Sequence, residues 1–259
     1  SNPRWEAAVL NARIRKTFLE NNCQIGVIGP KVNLTYHYNH LSDSLDYLNE
    51  LSEGNTDFNK VLNNAKNPLI IIGTSAINTA DGKKILETSA ALAKKIQKNK
   101  DINPLNILYQ DISRVGALEL NFYNKYFDNN YNLQLKKHID ANKPVVFLMG
   151  LDEVDLSILK NAYVVYLGHH GDKSASVADV ILPTPAYTEK TSTYMNIEGR
   201  VIQTNKCHNP LGEAKEEWKI FRVLSNLINH QLKFNNLREL RDEITKNFNQ
   251  LKSINELKQ

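Results

Sequence analysis

The feature that most constrains the fold is a set of short, wholly apolar runs: LIII at 69–72, VVFLM at 145–149 and VVYL at 164–167, with LNILYQ (105–110) and ADVILP (178–183) beside them. A strand with one face in water alternates apolar and polar residues, whereas a strand apolar at every position needs cover on both faces. Glycine, proline and polar clusters bound these runs, and QIGVIGP (24–30) reads as another strand of the same kind. Helical patterns lie between them. In TADGKKILETSAALAKKIQK (79–98), Ile85, Leu86, Ala90, Leu92, Ala93 and Ile96 fall on one side of a helix, and a leading helix over 4–19 places Trp5, Val9, Ala12 and Phe18 near helical spacing. The expectation is an α/β fold with a mostly parallel, doubly wound sheet or sheets, in one lobe or two, and a C-terminal helical extension.

Composition narrows the function classes. At 259 residues the chain can bury a sizeable core, and its net charge of +4 is spread rather than clustered, so nothing demands a nucleic-acid partner. Cys23 and Cys207 are its two cysteines, too few for a disulfide framework, a zinc ribbon or a four-thiolate iron–sulfur site, and they point to a reducing compartment. No apolar run approaches the roughly 20 residues that span a bilayer. The opening SNPRWEAAVL lacks a signal-peptide pattern and reads as a piece cut from a longer chain. The Asn- and Lys-rich stretch 120–143 is expected to be a long loop or a poorly packed excursion. Trp218, Phe221, Leu224 and Leu227 predict a helix after 209–219, with acidic residues at its start. Leu237, Leu240, Ile244, Phe248, Leu251, Ile254 and Leu257 recur at steps of three and four, a stripe that fits docking either on its own domain or on a partner helix. The division expected is a body over 1–232 and a helical tail over 233–259.

Several residues could carry chemistry. GHHGD (168–172) follows a strand, where α/β proteins bind ligands. His169 and His170, adjacent in extended backbone, should point to opposite sides, which suits no single metal. The favoured reading is a sharp turn permitted by Gly168 and Gly171, with the imidazoles and Asp172 hydrogen-bonded to loop backbone. Asp152, Glu153 and Asp155 can cap the next helix or contact a ribose, and capping is favoured because no glycine-rich phosphate loop accompanies them. GTSAINTADGKK (73–84) has the flavour of a phosphate loop but neither of its standard spacings. Cys23 and Cys207 read as small buried or edge residues, outside any nucleophile–base arrangement.

The most specific stretch is ADVILPTPAYTEKTSTYMNIEGRVIQT (178–204): a strand ending at Pro183, an acid–base pair at Glu189 and Lys190, an extended TYMN and a tight turn at Gly199. It resembles the segment shared by molybdopterin oxidoreductases, in which A-D-V-x-L-P, an E-K pair and N-x-E-G-R recur in this order. Together with NPRWEAAVLNARIRK (2–16), IGVIGPKVNLTYHYNHL (25–41), PLIIIGTSA (68–76), GHHGD and LGEAKEEWKIFRVLS (211–225), it is similar to the large peripheral-arm subunits of respiratory complex I, over nearly all of 2–232.

The resemblance implies more than the residues do. In that family, cysteine motifs of an N-terminal half hold iron–sulfur clusters; that half is missing here, and the region present has kept the fold and lost the molybdenum cofactor. The implied role is structural, with no catalytic, cofactor-binding or metal-ligating residue and no cofactor in this chain. The implied enzyme is the whole NADH:quinone oxidoreductase. Its other peripheral-arm subunits are the implied partners, without nucleic acid or membrane insertion, on the cytoplasmic face of a bacterial inner membrane or the matrix side of a mitochondrial one. The rival is a cofactor-binding piece of an active molybdopterin enzyme such as a formate dehydrogenase.

Overall fold

Every apolar run singled out above contributes to a β-strand in this computed structural model, and among the described residues three of the four small sheets are parallel. The structure describes residues 2–122, 131–151 and 155–254, with the backbone alone at 113 and 131–134. The chain divides into two units, 1–111 and 112–259.

The first unit opens with α1 (Pro3–Glu6) and α2 (Ala8–Asn21). The leading helix is thus two pieces, broken at Ala7, whose backbone leaves the helical region (φ −147°, ψ 60°). The face expected to be buried is not: Trp5 and Val9 are 76% and 78% exposed. Buried instead is Asn11, whose amide donates to Leu34 O (3.1 Å) while its carbonyl accepts from the Tyr36 hydroxyl (3.0 Å). A polar side chain with both ends satisfied holds a helix to a loop as firmly as an apolar one, and spacing of apolar residues does not reveal it.

β1 (Gly26–Ile28) pairs in parallel with β2 (Asn39–Ser42), a strand whose NHLS sequence carries no apolar run. α3 (Asp46–Glu53) and α4 (Phe58–Asn64) follow. β3 (Ile70–Gly73) pairs in parallel with β4 (Leu105–Leu108), and α5 (Thr74–Ile77) and α6 (Gly82–Ile96) connect them. Leu51, Leu92 and Ile96 form the buried cluster of this unit, with Ile28, Phe58 and Ile70 packed on it. The suggestive 73–84 stretch is a corner between two helices. A Cβ at Gly82 would lie 1.7 Å from Ile77 O, so close packing accounts for this glycine.

In the second unit α7 (Ile112–Glu119) and α8 (Tyr131–Asn142) precede a three-stranded parallel sheet of β5 (Val145–Met149), β6 (Tyr163–Gly168) and β7 (Val180–Pro183), with β6 central. The excursion expected over 120–143 is corrected for 131–142, which is helical; 123–130 lies outside the described residues. Ile139 of α8 is among the most deeply buried side chains and packs with Leu148, Ile158, Leu159, Val164 and Tyr166, while Leu135, one turn earlier, packs beside it. An apolar pair four residues apart is enough to anchor a helix, and Asn and Lys on its other faces hid the pair. On the sheet's other face Phe147 meets Phe221 of α9 (Glu217–Leu227), ring centroids 5.6 Å apart.

The remaining strands, β8 (Thr193–Met195) and β9 (Val201–Gln203), form an antiparallel hairpin. α9 follows as expected, except that Leu227 is 75% exposed. The C-terminal stripe is not one helix: α10 (Leu237–Asn247) ends before Phe248, and a 3₁₀ turn spans Asn249–Lys252. The stripe docks within its own unit. Ile244, Phe248 and Leu251 cluster with Met195, Val201 and Val115, and Ile254 bridges Val201. Leu257 lies outside the described residues.

Candidate functional site

The carboxyl ends of β5, β6 and β7 are where a parallel sheet offers a ligand its crevice. β6 ends at Gly168, and GHHGD follows. Tyr166, only 1% exposed, runs up the strand on the side of Gly168, and its hydroxyl donates to His170 O at 3.1 Å. A Cβ at Gly168 would lie 2.3 Å from that hydroxyl oxygen. This glycine is therefore required by Tyr166 rather than by a turn. Neither Gly168 nor Gly171 has a positive φ.

The two histidines do not point apart. Their rings meet edge to face, 4.5 Å between centroids and 83° between planes, because the chain has left the strand at Gly168 and bends, so strand alternation no longer applies. Both are exposed, as is Asp172, and the expected hydrogen bonds from these side chains to loop backbone are not formed among the described residues. The loop is held by other groups. Ala175 N donates to Asp172 O, Thr184 N donates to Gly168 O, and the hydroxyl of Ser174, fully buried, donates to Leu151 O in the loop after β5. Asp152 and Glu153 lie outside the described residues. Asp155 caps the 3₁₀ turn Leu156–Leu159, accepting from Ser157 N at 3.0 Å, and hydrogen bonding from the Ser157 side chain, with that backbone bond, holds its carboxyl below the ordinary value.

The motif-bearing stretch is the more constructed region. Glu189 and Lys190 do not pair with each other. Glu189, nearly buried, turns back so that its carboxylate accepts from Ala186 N (3.1 Å), while Lys190 reaches Glu217 at the start of α9, 2.5 Å from Oε1. Those two side chains are 23% and 25% exposed. A strap over 205–216 closes behind them: Cys207 N donates to Thr188 O (2.7 Å), Lys206 N to Thr191 Oγ1 (3.3 Å) and Lys215 N to Pro183 O (3.1 Å). At its end Glu216 accepts from Lys219 and from the Trp218 indole. Burial pushes the Glu216 carboxyl up, but the bonds from Lys219 and Trp218 and the charges of Lys219 and Lys206 outweigh it and hold the group below its usual value.

The N-I-E-G-R turn joins β8 to β9. The Asn196 side-chain oxygen accepts from both Glu198 N and Arg200 N at 3.0 Å, and Gly199 has φ +77°, as its place in a tight turn predicts. Tyr166, Ser174, Asn196 and Glu217 are structurally decisive residues that sequence reasoning did not single out. Only Asn196 carried a legible signal, since Asn three residues before Gly marks a side-chain-closed turn. Among the described residues no three of His, Cys, Asp and Glu converge as a metal set, and both cysteines are free thiols, Cys23 half-buried and Cys207 exposed.

The sequence pattern described as Molybdopterin oxidoreductase matches residues 1–227. The chain belongs to that family. Within it, the chain is 42% identical over 243 residues to the NADH-ubiquinone oxidoreductase 75 kDa subunit of Reclinomonas americana, covering 93% of this chain and 34% of that protein. It is 39% identical over 249 residues to the mitochondrial 78 kDa subunit of Neurospora crassa (94% and 32%). Against the mitochondrial NADH dehydrogenase [ubiquinone] iron-sulfur protein 1 of Solanum tuberosum it is 37% identical over 244 residues (93% and 32%). The resemblance to the large complex I subunit is thus borne out, and the chain spans about a third of the length of the curated relatives it matches. At the end of β6 the space a side chain at Gly168 would take is filled by Tyr166, whereas nothing lies near Gly171 or Gly150. Among the described residues no helix is long and apolar enough to cross a membrane.

Proposed function

We propose that the chain is the C-terminal structural and assembly region of the iron–sulfur subunit of NADH:quinone oxidoreductase, respiratory complex I. It supports electron passage from NADH to quinone without a redox centre of its own. Its body is 1–232 and its tail 233–259. It lies peripherally on the matrix side of a mitochondrial membrane or the cytoplasmic face of a bacterial one, with other peripheral-arm subunits as partners and iron–sulfur clusters in the rest of the subunit. The central strand β6 is buried on both faces and Phe221 meets Phe147 on the far face of β5, which supports a doubly wound sheet, while Val145, Met149 and Ile181 stand exposed at its flanks. The observation that carries the reading is how the family-motif side chains are spent: Glu189, Lys190 and Asn196 each bind this chain's own backbone or its own Glu217. Groups used this way hold a shape and leave no catalytic residue among them.

The test uses the complete subunit in a cell that assembles the complex. Lys190→Glu should lower the yield of assembled complex on native gels, and Lys190→Glu with Glu217→Lys should restore part of it. NADH oxidation per assembled complex should be unchanged in both. A normal yield with reduced turnover per complex, or stoichiometric molybdenum in the purified subunit, overturns the structural role.

A further inference from the structure

We infer that Tyr166 is an internal occupant of the crevice at the carboxyl end of the β5–β6–β7 sheet, filling the space through which a nucleotide-type ligand would approach the backbone of Gly168. The inference deepens the structural reading above and rests on it. It is tested on the chain alone, so its failure is separable from any failure of complex assembly.

A glycine at the end of a parallel strand serves one of two ends: close approach of a ligand's phosphate to the backbone, or close approach of the protein's own atoms. At Gly168 the distances decide. An added Cβ would lie 2.3 Å from the Tyr166 hydroxyl oxygen, 2.4 Å from Cζ and 2.7 Å from Cε1, so the ring edge and its polar tip already stand against the glycine. The ring is packed among Ile139, Leu148, Ile158, Leu159 and Val164, and the hydroxyl is satisfied by His170 O. A buried tyrosine whose body is apolar and whose tip finds a partner has no reason to swing away.

A second, independent observation lies beside it. Ser174, fully buried, donates to Leu151 O and so ties the loop after β6 to the loop after β5, while Thr184 N donates to Gly168 O and ties in the end of β7. These donors at the sheet's carboxyl end are turned on the chain's own carbonyls. A phosphate would have to compete for them and displace the ring as well.

The experiment compares thermal melts of the 259-residue chain. Gly168→Ala should lower the melting temperature by roughly 5–10 °C, as overpacking does in a rigid site. Adding Tyr166→Leu, which removes the ring edge, should recover at least half of that loss, although Tyr166→Leu alone is destabilising. Tyr166→Ala should be stabilised saturably by p-cresol, the excised side chain as a free molecule, with no such effect on the unsubstituted chain. Guanosine diphosphate at millimolar concentration should leave the unsubstituted chain's melt unmoved. A Gly168→Ala chain that melts like the parent, a double variant that only sums its losses, or a saturable rise with guanosine diphosphate overturns the inference. The last arm needs no variant to fold.

Discussion

The loop 168–172 and the turn 196–200 are both short and polar, contain glycine and follow a strand. The first looks like chemistry and the second like a spacer. Their side chains behave the other way round: those of His169, His170 and Asp172 stand exposed, whereas the Asn196 oxygen closes its turn by accepting from two backbone N–H groups. Residue type announces what a side chain could do, and geometry shows whether anything is asked of it. The largest effect that could break the comparison is therefore expected from the plainer stretch. Asn196→Ala removes both acceptances and leaves two donors to water, a cost of about 2 kcal/mol at ~1 kcal/mol each. Chemical denaturation should show that loss, with the slope unchanged; a cost below about 0.5 kcal/mol would mean that the backbone closes this turn unaided.

Glycine gives the next comparison. Gly199, at φ +77°, sits where a β-branched side chain is strained by about 1–2 kcal/mol, whereas Gly171 has no positive φ and nothing near an added Cβ. Gly199→Val should therefore lower the melting temperature by several degrees and Gly171→Val by little. Gly54 belongs with Gly199 rather than with Gly171. It ends α3 at φ +95°, its N–H donating to Glu50 O, so Gly54→Val should cost about as much as Gly199→Val. Equal melts for all three variants would remove the backbone argument.

The strands were legible because a short run apolar at every position has few alternatives to a covered parallel strand, and α6 because Ile85, Leu92 and Ile96 repeat on one face. What the pattern concealed was of two kinds. β2 pairs through its backbone while its NHLS side chains signal nothing, and α8 is anchored mainly through Leu135 and Ile139 in a polar setting. Elsewhere the misreading came from assigning partners by sequence distance: Glu189 and Lys190 are neighbours, yet their partners are Ala186 and Glu217. The connection from Lys190 to Glu217 is a property of the folded chain, visible in no spacing. The site fared likewise. The motif could be recognised and its turn at Gly199 inferred, whereas the closure of the strand end by Tyr166 depends on where one ring lies.

Acid should sharpen the difference between built and idle regions by a smaller amount. Glu216 has a folded-state pKa below the unfolded one, so its contribution is fully present above pH 4.5, the ordinary value, and disappears as pH falls through the folded value. The group is partly exposed, so solvent screening keeps that contribution under about 1 kcal/mol. Glu216→Gln should flatten the acid limb of a stability–pH profile below pH 4.5 and leave the neutral slope alone. A steeper acid limb in the variant would reverse the sign assigned to Lys219 and Trp218.

The smallest effect is the one the sequence would rank highest. Were His169 and His170 bonded to loop backbone, as their setting between glycines suggests, replacing both with Ala would cost about 1 kcal/mol for each bond. Among the described residues their side chains meet only each other, edge to face at 4.5 Å and open to water. The loop keeps its course through the carbonyl of His170, which accepts from Tyr166, and a carbonyl survives any side-chain change. The double substitution is accordingly expected to shift stability by less than about 0.5 kcal/mol, the range of surface changes that touch no special feature. Denaturant unfolding of the parent chain and of the His169→Ala, His170→Ala pair decides it. A loss above about 1 kcal/mol would show that the imidazoles hold the loop after all, and would move GHHGD from the idle side of the comparison to the built one.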